Sequence, residues 1–122
     1  MKSVAALLFA LPLLVALLLP GAARATSSLA FEGGGYWVDM EIGDDGGPVI
    51  ARVRFHAPGD AVGIELPTDR LSVEVFDPKR RKLSLRYSGG SGVAPFSLAV
   101  DGPGATLIMG SRRVSAAFGW PM

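Results

Sequence analysis

The stretch GYWVDMEIGDDGGPVIARVRFH, residues 35–56, contains two runs in which apolar and polar residues alternate, separated by a polar segment. Alternation with a period of two is typical of a β-strand that buries one face. Gly and Asp dominate the segment GDDGGP between the runs, and both residue types tolerate the backbone conformations that turns require. The stretch therefore predicts a β-hairpin and makes an antiparallel sheet the basis of the fold.

The same alternation assigns a buried face and a register to this hairpin. The buried face is expected to contain Tyr36, Val38, Met40, Ile42, Val49, Ala51, Val53 and Phe55. Pairing Ile42 with Val49 sets the register. The resulting outer cross-strand pairs are Asp39–Arg52 and Trp37–Arg54. A slip of one residue would move both arginines into the core, so the pattern specifies the faces strongly.

Similar patterns continue along the chain and predict an all-β fold. Residues 71–77 and 82–88 read as a second hairpin, with Val75 opposite Leu83, a five-residue loop between them and Lys82 next to Glu74. Residues 96–100 and 105–109 read as a third hairpin around the turn DGPG, and weaker strands are expected at 28–32, 61–66 and 114–120. Short strands at this spacing predict a small antiparallel β-sandwich of about 7–8 strands, with a small closed β-barrel as the alternative.

The N-terminal segment has the organisation of a secretory signal peptide. A short basic start with Lys2 precedes an apolar run over residues 4–20, which is followed by small residues at Ala23 and Ala25. This pattern predicts cleavage between Ala25 and Thr26, and a single all-β domain over residues 26–122. An uncleaved membrane anchor is the competing interpretation, but the run is at the lower limit for spanning a bilayer and contains Pro12. No stable membrane span is expected after cleavage, and the expected location is the periplasm or the medium of a bacterium.

The composition excludes several classes of protein. The chain has no Cys, Asn or Gln, so disulfides, a lipid-bearing N-terminal Cys and N-glycosylation are all excluded. Residues 26–122 contain 10 basic and 11 acidic residues, which gives a net charge of −1. A net charge this close to zero predicts no general attraction to nucleic acid or to an anionic membrane.

Four consecutive basic residues, Lys79 to Lys82, follow the turn signal Asp77-Pro78. One interpretation is a contact for an anionic surface or an acidic partner, made by Lys79, Arg80 and Arg81. The other is a hairpin tip whose charges keep it soluble and protect the sheet edge from pairing. The cluster is local and lacks the interleaved aromatic residues of single-stranded nucleic-acid binders, so we expect the hairpin tip.

Trp37 falls on the charged face of the first hairpin, where Arg54 and His56 are also expected. An exposed Trp beside an Arg could contact a sugar ring, a peptide or another subunit. The competing interpretation is that a second sheet or the C-terminal tail covers it. We therefore take Trp37, Arg54 and His56, together with the basic tip, as the candidate interaction residues.

Signals for metal binding or catalysis are weak. His56 is the only His, and a copper site would combine it with Met40 or Met109, although both Met residues alternate onto core faces. Asp39 and Glu41 share one strand face about 7 Å apart, a separation that inverting glycosidases also use. The segment GGSG, residues 89–92, lacks the spacing of a nucleophile elbow. No catalytic, metal or cofactor site is expected.

The sequence as a whole predicts an exported, non-catalytic binding or structural module of the bacterial cell envelope. Its partner is expected to be an envelope protein or a glycan, and no nucleic acid. A periplasmic copper carrier that uses His56 and a Met is the first alternative, and a small carboxylate-dependent hydrolase is the second. The oligomeric state and the strand order do not follow from the sequence.

Overall fold

A computed structural model describes residues 27–121 as two antiparallel β-sheets. The first sheet consists, in spatial order, of β1 (Ser27–Gly33), β2 (Tyr36–Asp44), β3 (Pro48–His56) and β4 (Ile64–Glu65). The second sheet consists of β5 (Leu71–Asp77), β6 (Lys82–Tyr87), β7 (Phe96–Asp101), β8 (Gly104–Met109) and β9 (Arg112–Ala117). The predicted signal peptide and its cleavage site between Ala25 and Thr26 lie outside the described residues.

The two sheets pack face to face and are not closed into a barrel, so the predicted β-sandwich is confirmed and the barrel alternative is wrong. Phe55 of the first sheet stacks on Phe96 of the second, with ring centroids 5.3 Å apart. The core between the sheets is formed by Leu29, Phe31, Val38, Met40, Val53, Phe55, Leu66, Leu83, Leu85, Tyr87, Val93, Phe96, Leu98, Val100, Ala105, Leu107 and Phe118. Between residues 27 and 121 no helix is long and apolar enough to cross a membrane.

The register of the first hairpin differs from the predicted one by two residues. Val38 lies opposite Phe55 and Met40 opposite Val53, whereas Val38 was expected opposite Val53. A shift of two keeps every side chain on its face, which is why the buried positions of β2 and the last half of β3 are correct. The turn is also tighter than expected, because β2 continues to Asp44 and β3 already begins at Pro48.

A β-bulge next to Ile42 reverses the alternation in the first half of β3. Ile42 pairs with Ile50 instead of Val49, and Ile50 packs against the core. Ala51, which the alternation placed inside, is exposed. A bulge adds one unpaired residue to one strand, so the faces assigned on one side of it are inverted.

A second bulge, at Glu74, changes the hairpin that carries the basic tip. Phe76, and not Val75, lies opposite Leu83, so Phe76 packs against the core and Val75 is 44% exposed. Lys82 consequently pairs with Asp77 instead of lying beside Glu74, and the loop shortens to residues 78–81.

The remaining elements agree with the pattern more closely. Leu98 lies opposite Leu107 and Val100 opposite Ala105, as predicted for the third hairpin. The opening and C-terminal strands are confirmed as β1 and β9. The expected strand at 61–66 is reduced to β4, because Val62 belongs to an exposed loop.

Candidate functional site

Trp37 and His56 form a stacked pair on the outer face of the first sheet. They are direct cross-strand neighbours, and their ring centroids lie 4.3 Å apart with an interplanar angle of 18°. His56 is only 4% exposed, whereas Trp37 is 39% exposed. The predicted pairing of Trp37 with Arg54 is wrong, because the register shift of two places Arg54 opposite Asp39.

The loop between β3 and β4, residues 57–63, folds back over the imidazole of His56. The backbone carbonyl of Asp60 lies 2.9 Å from His56 Nδ1, so this nitrogen donates to it and carries the proton. Arg54 donates to the carbonyl oxygens of Val62 and Gly63 at 3.1 and 3.2 Å. The loop is therefore attached to β3 at two points, and it covers His56 while the indole of Trp37 stays partly exposed.

The Asp60 carboxylate organises this loop. Its Oδ1 accepts hydrogen bonds from the amides of Val62 at 3.1 Å and Gly63 at 3.0 Å. The bond from Gly63 is the main reason why the pKa of Asp60 lies below its ordinary value. Desolvation opposes this shift, and the bond from Val62 and the charges of His56 and Arg54 lower the pKa further. The loop is consequently most stable when Asp60 is ionised.

Acidification is expected to weaken the loop through Asp60. Because the pKa of Asp60 is lower in the folded chain than in the unfolded chain, its contribution is complete above the unfolded value of about 4. It is lost as the pH falls through the lower folded value. Urea unfolding of wild type and Asp60→Asn should therefore differ in pH dependence below about pH 4, where only the wild type loses this contribution. Asn keeps an acceptor oxygen for the two amides, and identical pH profiles would contradict this role.

Two shallow depressions border the exposed edge of Trp37. One, of about 300 Å³, lies towards the loop and is lined by Gly35, Trp37, His56, Ala57, Gly59, Asp60 and Ala61. The other, of about 470 Å³, lies on the β1 side and is lined by Glu32, Gly33, Gly35, Tyr36 and Trp37. Glu32 is the cross-strand neighbour of Trp37 in β1. The indole therefore stands between two open spaces, each with one carboxylate.

The rest of the outer face carries charged residues that are largely paired. Arg52 Nε lies 3.2 Å from Glu41, and Arg54 lies 3.7 Å from Glu65. Both arginines and both glutamates line a polar depression of about 290 Å³ together with Ser28, Asp39 and Val53. Arg52 pairs with Glu41 and not with Asp39, as the shifted register requires. Glu41, one of the two carboxylates considered for catalysis, is thus held by an ion pair.

The residues considered for copper do not come together. Met40 is fully buried on the core face of β2, and His56 lies on the outer face of the same sheet. Met109 packs against the core from the second sheet. Among the described residues, no group of three or more His, Cys, Asp or Glu side chains is arranged to hold a metal ion.

The basic tip lies on the second sheet, away from the Trp37 pair. The amide of Arg80 donates to Asp77 Oδ1 at 3.2 Å, and its guanidinium lies 3.8 Å from the same carboxylate. The carbonyl of Arg81 accepts from the amide of Gly102 at 2.8 Å, which fixes the tip against the next turn. Lys79, Arg80 and Arg81 are exposed. The structure thus separates the six candidate interaction residues into two groups.

Comparisons with known proteins identify no relatives on which a function could be based. No protein-family model, no curated protein and no solved structure matches this chain at a significant level.

Three residues of the candidate site were not predicted from the sequence: Glu32, Asp60 and Gly63. The segment GDAVG, residues 59–63, does contain an Asx-turn signal, but only the fold shows that it covers His56.

Proposed function

We propose that the protein is an exported, non-catalytic module of the bacterial cell envelope that binds a glycan at Trp37. The observation that supports this most directly is the stacking of the 39% exposed indole on the nearly buried His56. A tryptophan held in this way keeps an apolar surface available in a fixed orientation. Little side-chain entropy is then lost when a ligand binds.

The chemistry around the indole suits a sugar ring. A pyranose has a face of C–H groups that packs on an aromatic surface and a rim of hydroxyl groups that need hydrogen-bond partners. Glu32 and Asp60 each line one of the depressions beside Trp37 and supply carboxylate acceptors. Asp60 uses Oδ1 for the loop, which leaves Oδ2 for a ligand hydroxyl.

The surroundings of Trp37 favour a glycan over a protein partner. Stable protein interfaces bury about 800 Å² on each side and concentrate several apolar anchors at their centre. Among the described residues, Trp37 is the only large aromatic side chain classed as exposed. Apart from His56, on which it stacks, its neighbours on the outer face are charged or small.

The test is a binding titration that is specific for Trp37. The chain has two tryptophans, so a Trp120→Phe variant reports the emission of Trp37 alone. Soluble peptidoglycan fragments and oligomers of N-acetylglucosamine are the probes. We expect a saturable change in emission, and a loss of affinity of about thirtyfold or more for Trp37→Ala by calorimetry, since such hot-spot aromatics contribute about 2 kcal/mol or more.

The control variant is Arg52→Ala, which changes the same face at an exposed position away from Trp37. It should bind as tightly as the wild type. Binding that is equally strong in Trp37→Ala would place the glycan site elsewhere, and no response to any of these probes would contradict the proposal.

A further inference from the structure

The fold divides the charges of the chain between its two sheets. Residues 27–66, which form the first sheet and its loops, contain seven acidic and two basic residues, a net charge of −5. Residues 67–121, which form the second sheet and its loops, contain four acidic and eight basic residues, a net charge of +4. The overall charge near zero is therefore the sum of two large and opposite contributions.

Because of this division, a partner at one outer face of the sandwich interacts mainly with the charges of the nearer sheet. Stacked sheets lie about 10 Å apart, and their outer faces are farther apart than that. The Debye length at physiological ionic strength is about 8 Å. A partner at the outer face of the second sheet is thus screened from much of the negative charge of the first sheet. The net charge of −1 for residues 26–122, which predicted no attraction to an anionic surface, does not describe this side.

The unpaired cations of the second sheet are located at both ends of its strands. The two ion pairs in this sheet connect Arg80 with Asp77 and Arg86 with Glu74. Within residues 67–121, the cations without a carboxylate partner among the described residues are Arg70, Lys79, Arg81, Lys82, Arg112 and Arg113, and the acids without such a partner are Asp69 and Asp101. Lys79 and Arg81 lie in the turn before β6, while Arg112 and Arg113 are the first two residues of β9, after the turn at the other end.

A row of small side chains crosses the middle of the outer face, between the two basic ends. Ser84, Ala99, Thr106 and Ser115 are consecutive cross-strand neighbours on β6, β7, β8 and β9. They lie on the outer face, opposite the core residues of the same strands. Because none of them is bulky, the middle of β6 to β9 does not hold the basic ends away from a broad surface, and the larger Val75 continues this row only on the edge strand β5. Strands of six residues separate these ends by about 20 Å.

We propose that the outer face of the second sheet docks on an anionic lipid surface, with the Lys79 and Arg113 ends in contact with headgroups at the same time. The complementarity is electrostatic: a side with a net charge of +4 and exposed cations at both ends meets a negatively charged plane. Trp37 is on the opposite sheet and remains accessible. Single-stranded nucleic acid fits less well, because no exposed aromatic side chain accompanies these cations among the described residues.

The experiment compares charge reversals on the two sheets. The chain from Thr26, which contains every described strand, is co-sedimented with vesicles of phosphatidylcholine containing one third phosphatidylglycerol. Arg113→Glu and Arg52→Glu change the net charge equally, and both positions are exposed strand residues. We expect Arg113→Glu to weaken adsorption at 0.1 M salt by about thirtyfold, since each of the two charge steps contributes about fivefold. Arg52→Glu should leave adsorption within about twofold at the same salt, because Arg52 is on the other sheet, farther from the lipid than the Debye length of about 10 Å.

A further variant and further conditions distinguish this docking surface from binding by net charge, by the basic tip alone or to a soluble polyanion. Lys79→Glu should weaken adsorption as strongly as Arg113→Glu, and adsorption should decline towards physiological salt and be absent on pure phosphatidylcholine. Equal losses in Arg113→Glu and Arg52→Glu would overturn the proposal, because overall charge alone would then be responsible. A loss confined to Lys79→Glu would also overturn it in favour of the tip alone. Binding of soluble polyphosphate without adsorption to the vesicles would exclude the lipid surface.

Discussion

A Val53→Asp variant is expected to lose most or all of its folded β-structure. Val53 is 1% exposed and lies opposite Met40 in the centre of the first sheet. An aspartate there would be either a buried charge or a buried neutral carboxyl group without a partner. The cost is expected to be about 4 kcal/mol or more, which is most of the stability of a domain near the lower end of the usual range of about 5–15 kcal/mol.

The neighbouring position provides the control. Arg52 points to the other face of the same strand, where its side chain is 64% exposed and paired with Glu41. Arg52→Ala should cost less than about 1 kcal/mol, because an exposed ion pair contributes little. Circular dichroism and urea unfolding of both variants measure the difference. Similar unfolding midpoints would show that the faces of β3 are wrongly assigned.

The face of Val53 could be predicted from the sequence, because it depends only on whether a residue stands at an odd or an even position along the strand. Any register of the hairpin that differs by an even number of residues keeps Val53 and Phe55 inside. The absolute register depends on where the turn closes, and Asp44 and Pro48 both lie in the strands although they have typical turn composition. The alternation therefore predicted the core but not the cross-strand pairs.

Neither bulge could be predicted from the alternation of apolar and polar residues. At Glu74 the bulge brings Phe76 into the core and turns Val75 outward, although both alternate regularly with their neighbours in sequence. The choice between them depends on the space opposite Leu83, which is a property of the packed sandwich. A bulge is selected by tertiary fit and has no strong local signal in these residues.

The candidate site shows the same division between local and non-local information. Trp37 and His56 were both expected on the outer face, and they are there. Their stacking depends on the register, and the burial of His56 depends on Asp60 and Gly63, which belong to a loop that returns from further along the chain. The net charge of each half could be counted in the sequence. Only the fold shows that each half forms its own sheet, so that the opposite charges lie on different sides of the sandwich.

Gly63→Ala is expected to detach this loop from His56. Gly63 has a φ of +78°, and a Cβ atom there would lie 2.6–2.8 Å from three ring atoms of His56. The ring has little freedom to retreat, because it is stacked on Trp37 and hydrogen-bonded to Asp60. The loop must therefore shift, which strains the bonds that Arg54 and Asp60 make within it.

Gly59→Ala separates this clash from simple backbone strain. Gly59 lies in the same loop with a φ of +83°, but a Cβ atom there would have no neighbour within 4 Å. Both substitutions place alanine in the left-handed region, at a cost of about 1–2 kcal/mol, and only Gly63→Ala adds the steric conflict. We expect a total of about 3 kcal/mol or more for Gly63→Ala in urea unfolding, together with altered Trp37 emission in a Trp120→Phe background. Gly59→Ala should leave that emission unchanged, and equal effects of the two substitutions would mean that the loop does not rest on His56.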